Sequence, residues 1–313
     1  MNLIFCGTPQ FAVPTLEKLI AEGFLPSLVL TNPDEPSGRG YATKPSPVKE
    51  AAVKAGLEIF QPARLKDPGV QEKISSIQPE AIVVVAYGHL IPPWMFNLPP
   101  LGCINLHASL LPRYRGAAPI AWSIIRGERV TGVTTMKIDQ GLDTGDILLQ
   151  KEVEIRDEDT TETLSERLSH EGAPLVVATL RGLLREEIQP RPQDPQLATL
   201  APMLKKEDGL MDWSLSAEEV ARWVRGLRPW PVAHARFRGK NLQIWAARPW
   251  QSDVTADLKP GELKAEGANL IVGCGGHTLL EILELQLEGR RRVSARDFMN
   301  GFRLQPGEML QSR

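Results

Sequence analysis

The 313-residue chain has only three cysteines, Cys6, Cys103 and Cys274, which are odd in number and lie far apart. Such a set forms neither a disulfide framework nor a paired metal-binding motif, so we expect all three to be small core side chains. No apolar run approaches the ~20 residues that a membrane-spanning helix needs. The N-terminus lacks the layout of a signal or transit peptide, so we expect a cytoplasmic protein without a membrane partner.

A strong charge of either sign is also absent, since 36 Lys and Arg stand against 38 Asp and Glu. The net charge of −2 excludes indiscriminate binding to nucleic acid, which requires a broadly basic surface, and leaves room only for a local basic patch. The composition is otherwise ordinary for a globular protein, with 42% hydrophobic residues. At roughly 100–200 residues per domain, the length predicts two domains.

Short apolar runs alternate with helical stretches over residues 1–188. This alternation predicts a doubly wound, Rossmann-like parallel α/β sheet. The run AIVVVA at residues 81–86 is apolar throughout, as is typical of a parallel strand covered on both faces. The predicted strands are residues 2–6, 28–31, 81–86, 103–107, 131–138 and 147–154, and the predicted helices are residues 12–22, 48–55, 119–126 and 161–187.

The pattern changes after residue 188. Residues 189–208 begin with QPRPQDPQLATLAP, whose prolines and lack of periodicity predict an extended linker. After a helix predicted at residues 216–227, short strands broken by glycine indicate a smaller β-barrel or sandwich. We therefore predict an α/β domain at residues 1–188 and a β domain at residues 209–313.

Asn105 and His107 lie at the end of the strand predicted at residues 103–107. Side chains alternate along a strand, so these two point to the same side, at the strand end where open α/β sheets bind ligands. An amide donor beside an imidazole can serve acyl transfer, because Asn can bond an oxygen that becomes anionic while His moves an amine proton. Taken alone, an Asn/His pair more often only forms hydrogen bonds within a loop.

The segment DQGLDTGD at residues 139–146 holds three carboxylates and two glycines, which predicts a tight polar loop. A divalent-ion loop is the alternative, but the D-x-D-x-D-G spacing of a calcium loop is absent. A carboxylate of this loop that reached His107 would fix its tautomer and favour the imidazolium form.

Five stretches of the chain together resemble the folate-dependent formyltransferases. The resemblance implies a doubly wound N-terminal domain, 10-formyltetrahydrofolate as the formyl donor and no metal. It also implies that Asn105, His107 and Asp143 form the catalytic site. The stretches are NLIFCGTPQFAVPTLEKLI from residue 2, PSPVK from residue 45, VVVAYG from residue 83, GCINLHASLLPRYRGAAPI from residue 102 and TGVTTMKIDQGLDTGDIL from residue 131.

The same resemblance implies a folate site on either side of the catalytic residues. Residues 87–93 and 139–143 would line its pterin pocket. The folate-binding residues carried over by position are Ser109, Leu110, Leu111, Pro112, Asp139 and Gly141.

Residues 32–49 resemble the loop that the tRNA-specific members insert after the second strand. Arg39, Lys44 and Lys49 would then contact tRNA, in a segment free of apolar pattern. An ordinary solvated loop is the alternative, and the acidic Asp34 and Glu35 support it.

Residues 210–214 and 225–231 resemble the start of the family's C-terminal barrel, which is OB-like and contacts tRNA. The resemblance therefore implies formyl transfer to the α-amino group of methionyl initiator tRNA, for translation initiation, with no obligatory protein partner. A sister enzyme acting on glycinamide ribonucleotide or a nucleotide-linked amino sugar is the nearest alternative. An inactive tRNA-binding protein is another, and the intact set of Asn105, His107 and Asp143 argues against it.

Overall fold

The computed structural model describes residues 1–37, 42–251 and 258–312. The chain divides into two compact units, each drawn from more than one stretch of sequence. The sequence predicts contiguous domains, and the boundaries at residues 188 and 209 stay a prediction. The first unit comprises Met1–Pro119, Val130–Glu154 and Ser165–Ala201, and the second comprises Ile120–Arg129, Ile155–Leu164 and Pro202–Arg313.

The centre of the first unit is a seven-stranded sheet. Its strands are β1 Leu3–Gly7, β2 Pro26–Leu30, β5 Ile59–Phe60, β6 Ala81–Val85, β7 Cys103–His107, β8 Val130–Lys137 and β9 Ile147–Glu154, with β3 Glu35–Ser37 and β4 Ala42–Lys44 forming a separate pair. The strand order is β5-β2-β1-β6-β7-β8-β9, so the direction of winding reverses between β1 and β6. This reversal and the parallel pairing from β5 to β7 confirm the doubly wound class.

Strand β8 corrects one detail, because it pairs antiparallel with both of its neighbours, β7 and β9, and the sheet is therefore mixed. The alternation of strands and helices in the sequence predicts a parallel sheet. Only residues 138–146 connect β8 to β9, whereas a parallel crossover needs a dozen or more residues and usually a helix. A pair of adjacent strands joined this closely must therefore run antiparallel.

Four of the six helices described in the α/β region begin and end near the predicted positions, and the two at residues 68–76 and 93–96 were not predicted. Burial explains the apolar central strands, since every residue of β1 and β6 is buried. The hydroxyl of Ser46 caps α2 by accepting the N–H of Lys49 at 3.1 Å, and Pro47 occupies the first helical position. The helices are α1 Val13–Ala21, α2 Pro47–Lys54, α3 Pro68–Ser76, α4 Pro93–Phe96, α5 Pro119–Ile125 and α6 Thr161–Leu184.

The second unit is built on an antiparallel sheet of order β10-β11-β14-β13-β12, with β15 paired to β14. A capping box formed by Ser216 and Glu219 starts its helix α7. The elements are α7 Ala217–Gly226, β10 Ala233–Phe237, β11 Lys240–Pro249, β12 Leu263–Glu266, β13 Asn269–Cys274, β14 Thr278–Leu287, β15 Val293–Ser294 and α8 Ala295–Gly301.

A short C-terminal segment closes this sheet into a barrel. Gln311 exchanges two backbone hydrogen bonds of 2.9 Å with Arg236 on edge strand β10. Nearby, the N–H of Leu310 donates to the carbonyl of Gly261, and the N–H of Leu263 on the opposite edge strand β12 donates to the carbonyl of Glu308, both at 2.7 Å. Both edges are thus paired through one segment, and the predicted barrel is confirmed.

The three cysteines are free and buried, as predicted. Burial raises the pKa of the Cys6 and Cys103 thiols well above their usual value and that of Cys274 to about 12. Within the described residues, no helix has the length and hydropathy to cross a membrane.

Candidate active site

Strand β7 places Asn105 and His107 on one face at its C-terminal end, as predicted. In the register with β8, Asn105 lies opposite Met136 and His107 opposite Thr134. His107 is only 6% exposed, whereas Asn105 is half-buried. Among the described residues, the side-chain amide of Asn105 has no hydrogen-bond partner, so its N–H groups are free to bind a ligand oxygen.

The two ring nitrogens of His107 face different partners. Nε2 lies 2.9 Å from the carbonyl oxygen of Tyr114, and because a carbonyl only accepts, Nε2 carries the proton. Nδ1 lies 3.6 Å from Oδ2 of Asp143. The tautomer is therefore set by the carbonyl of Tyr114, where the sequence analysis expected a carboxylate, and Nδ1 is left as the nitrogen that can take up a proton.

Asp143 is held in this position by the backbone. Its φ of 53° lies in the left-handed region, and its Oδ2 accepts the N–H of Gly116 at 2.8 Å. Gly116 has a φ of 119°, and a Cβ there would lie 2.7 Å from the carbonyl oxygen of Ala201. Glycine is required at this position, because any side chain would push the donating N–H away from Asp143.

The loop at residues 139–146, here the Asp143 loop, is a tight turn that stabilises itself. Asp139 Oδ1 accepts the N–H of Gly141 at 3.0 Å and the hydroxyl of Thr144 at 2.7 Å. At Gly145 a Cβ would lie 1.8 Å from the carbonyl oxygen of Lys137. The carboxylate of Asp139 thus orders the loop, and no group of metal-ligating side chains occurs in residues 1–37, 42–251 and 258–312.

The residues assigned to the folate site differ in exposure. Ser109 is fully buried, and its hydroxyl donates to the carbonyl of Arg113 at 2.7 Å. Leu111 is also buried, in a cluster with Met136 and Ile147. The buried side chains of Ser109 and Leu111 therefore stabilise the loop that follows β7. Leu110 and Pro112 are half-buried, and Asp139 and Gly141 are exposed.

The loop after β7, at residues 108–116, is anchored to the sheet by two residues that the sequence pattern did not indicate. The hydroxyl of Thr134 on β8 donates to the carbonyl of Ser109 at 2.6 Å and accepts the N–H of Leu111 at 3.2 Å. Gln150 on β9 donates to the carbonyl of Leu111 at 2.9 Å. These polar residues gave no sequence signal, because polar side chains at strand positions are common and their partners are backbone atoms.

The three residues assigned to tRNA contact fall in different settings. Arg39 lies outside the described residues. Lys44 is exposed at the end of β4. The ammonium of Lys49 lies 2.5 Å from Oδ2 of Asp34, and its hydrogen bond, with that from Gln61, holds the pKa of the Asp34 carboxyl below its usual value.

Two family models cover most of the chain. The formyl transferase model matches residues 1–180, and the model of the formyl transferase C-terminal domain matches residues 203–303. The chain is 55% identical to a methionyl-tRNA formyltransferase of Koribacter versatilis, over 97% of this chain and 96% of that one. The chain belongs to the methionyl-tRNA formyltransferases. A relative with the same name from Solibacter usitatus is 50% identical over 99% of this chain and 98% of its own.

Solved structures share the fold of this formyl transferase at low sequence identity. The methionyl-tRNA formyltransferase from Clostridium thermocellum has a TM-score of 0.56 and 19% identity, covering 92% of this chain and 98% of that chain. HypX from Aquifex aeolicus, solved with tetrahydrofolic acid, has a TM-score of 0.63 and 17% identity, covering 96% of this chain and 47% of that chain.

The geometry of Asp143 predicts which substitutions this formyl transferase tolerates there. Asp143→Asn keeps an oxygen that accepts the N–H of Gly116, and Asn adopts left-handed backbone readily, so we expect little change in thermal stability. Asp143→Val loses the acceptor and places a β-branched residue at positive φ, which costs about 1–3 kcal/mol. Thermal unfolding of both variants checks this, and equal melting temperatures for Val and wild type would contradict the described turn.

Proposed function

We propose that the chain transfers the formyl group of 10-formyltetrahydrofolate to the α-amino group of methionyl initiator tRNA, in the cytoplasm, for translation initiation. The observation that carries the proposal is the identity of 55% to a methionyl-tRNA formyltransferase over nearly the full length of both chains. The arrangement of Asn105, His107 and Asp143 at the end of β7 supplies the chemical groups that such a transfer requires.

Two segments of the proposed folate site expose large apolar side chains. Leu90, in the segment 87–93, is 90% exposed, and Leu142, in the Asp143 loop, is 59% exposed. Large apolar side chains facing solvent in these two segments favour a site that a ligand covers. The solved HypX structure of the same fold holds tetrahydrofolic acid, which supports folate as the co-substrate of this chain.

Asn105 is the proposed oxyanion donor. When the methionyl amine attacks the formyl carbon, a new C–N bond forms and the formyl oxygen becomes anionic. The unpartnered amide of Asn105 can donate to that oxygen, and a donor of this kind typically contributes ~3–4 kcal/mol to transition-state stability. Because the amide is already free, no protein hydrogen bond has to break first.

His107 is the proposed carrier of the amine proton. Nδ1 is the nitrogen without a proton, so it can accept the proton that the attacking amine loses and pass it to N10 of the folate as the C–N10 bond breaks. The resulting imidazolium donates from Nε2 to Tyr114 and faces the carboxylate of Asp143 from Nδ1. Asp143 thus acts through His107, as a positioning residue that favours the charged ring.

The identity of the acceptor substrate is tested by comparing four acceptors with the same formyl donor. We expect formylation of Met-tRNA(initiator), much slower formylation of Met-tRNA(elongator), and no turnover with glycinamide ribonucleotide or a dTDP-linked amino sugar. Initial rates with 10-formyltetrahydrofolate and each acceptor check this. Equal or faster turnover of either small acceptor would contradict the assignment, and folate binding without turnover of any acceptor would favour an inactive binding protein.

The basic residues of segment 32–49 should differ in importance for tRNA. Lys44→Ala and Arg39→Ala should lower kcat/KM for tRNA, and removing one phosphate contact should reduce the slope of log(kcat/KM) against log[salt] by about 1. Lys49→Ala should change that slope less, because its ammonium is already paired with Asp34. Lys54→Ala is the matched control, because Lys54 is exposed on α2. Equal effects of Lys44→Ala and Lys54→Ala would mean that residues 32–49 form an ordinary solvated loop without tRNA contact.

A further inference from the structure

Residues 189–201 follow α6 within the first unit. They contact two loops of the site, namely the loop after β7, at residues 108–116, and the Asp143 loop. Thr199 donates its N–H to the carbonyl of Pro112 at 3.3 Å and accepts the N–H of Arg115 at 2.8 Å. Its hydroxyl accepts the N–H of Tyr114 at 2.9 Å. These residues, which we call the strap, lie within the stretch predicted as a linker at residues 189–208, and they pair with the loop that holds Nε2 of His107.

Gln193 extends this pairing to the Asp143 loop. Its amide nitrogen donates to the carbonyls of Asp143 and Gly145 at 2.8 and 2.7 Å. Its amide oxygen accepts from Nε and Nη2 of Arg115 at 3.0 and 2.7 Å. Both N–H groups and both lone pairs of the side chain are therefore used, which fixes one orientation of the amide.

The hydrogen bonds of Gln193 constrain the backbone of Asp143, whose carboxylate faces His107. Asp143 has a left-handed backbone, which is unfavourable for a non-glycine residue unless its surroundings maintain it. Gln193 holds the carbonyl of Asp143, and Gly116 holds its carboxylate. With the backbone and the side chain both fixed, Oδ2 stays beside Nδ1 of His107.

We propose that Gln193 is a positioning residue for formyl transfer, which sets the distance between Asp143 and His107 by tying the Asp143 loop to Arg115. The inference rests on the proposed function, because it concerns the acid–base pair of that reaction. Gln193 binds neither substrate: its side chain is saturated by contacts within the protein. Its loss therefore acts on turnover and leaves binding of folate and tRNA in place.

Gln193→Glu tests the donating end of the side chain separately from the accepting end. Glutamate keeps the size and the acceptor for Arg115 but removes both N–H donors, so the carbonyls of Asp143 and Gly145 lose their partner. A displacement of about 1 Å at a reacting centre can cost ~10²-fold in rate. We expect kcat to fall by about 10- to 100-fold, with KM for both substrates within about threefold of wild type.

Gln196→Glu is the matched control, since it makes the same charge change in the strap. The side chain of Gln196 is exposed and has no hydrogen bond among the described residues. We expect its kcat to equal that of wild type. Should Gln193→Glu fail to fold, Gln193→Met removes the same donors without adding charge, and the same split between kcat and KM is expected.

The double variant Gln193→Glu/Asp143→Asn tests whether Gln193 acts through Asp143. If it does, adding Gln193→Glu to Asp143→Asn lowers kcat little further. Unchanged kcat in Gln193→Glu and Gln193→Met, a rise in KM alone, or losses that multiply in the double variant would each overturn the inference. Wild-type turnover of Met-tRNA(initiator) tests the proposed function separately, because its absence is visible before any variant is made.

Discussion

The site depends on how the carboxylate of Asp143 is shared between the N–H of Gly116 and Nδ1 of His107. The hydrogen bond to Gly116 is 2.8 Å long and the distance to Nδ1 is 3.6 Å, so the carboxylate is anchored by the backbone and only faces the ring. In the proposed transfer, Nδ1 then accepts the proton of the substrate amine. A direct hydrogen bond from Nδ1 to Asp143 would instead occupy the one nitrogen that can move a proton.

The charge of Asp143 matters most at the moment when His107 carries a proton. Oδ2 of Asp143 lies 3.6 Å from Nδ1 of His107, close enough to attract a charged ring. The side chains are 7% and 15% exposed, so solvent screens the pair less than at a surface. The attraction is absent while the ring is neutral, so in the proposed transfer the carboxylate of Asp143 acts while the ring of His107 carries the proton.

Some of this arrangement could be predicted from the sequence, because strand periodicity is a local property. Alternation along residues 103–107 placed Asn105 and His107 on one face, and the apolar runs located β1, β6 and β7. The tautomer of His107 could not be predicted, since its partner is the carbonyl of Tyr114 and a carbonyl has no residue-type signal. Gln193 was hidden in a proline-rich segment whose pairing is set by tertiary contacts, and the antiparallel pairing of β8 with β7 depends on the order of the strands in the sheet.

We propose that Asp143 and His107 act as one unit on the proton of the amine, and a double-mutant cycle tests this cooperation directly. Single-turnover formylation of Met-tRNA(initiator) is measured for Asp143→Asn, His107→Ala and the double variant, with folate binding as a check on the fold. We expect large losses in both single variants, of at least about 10²-fold, and little further loss in the double. Losses that multiply would mean that Asp143 and His107 act independently, and the proton would then need another partner.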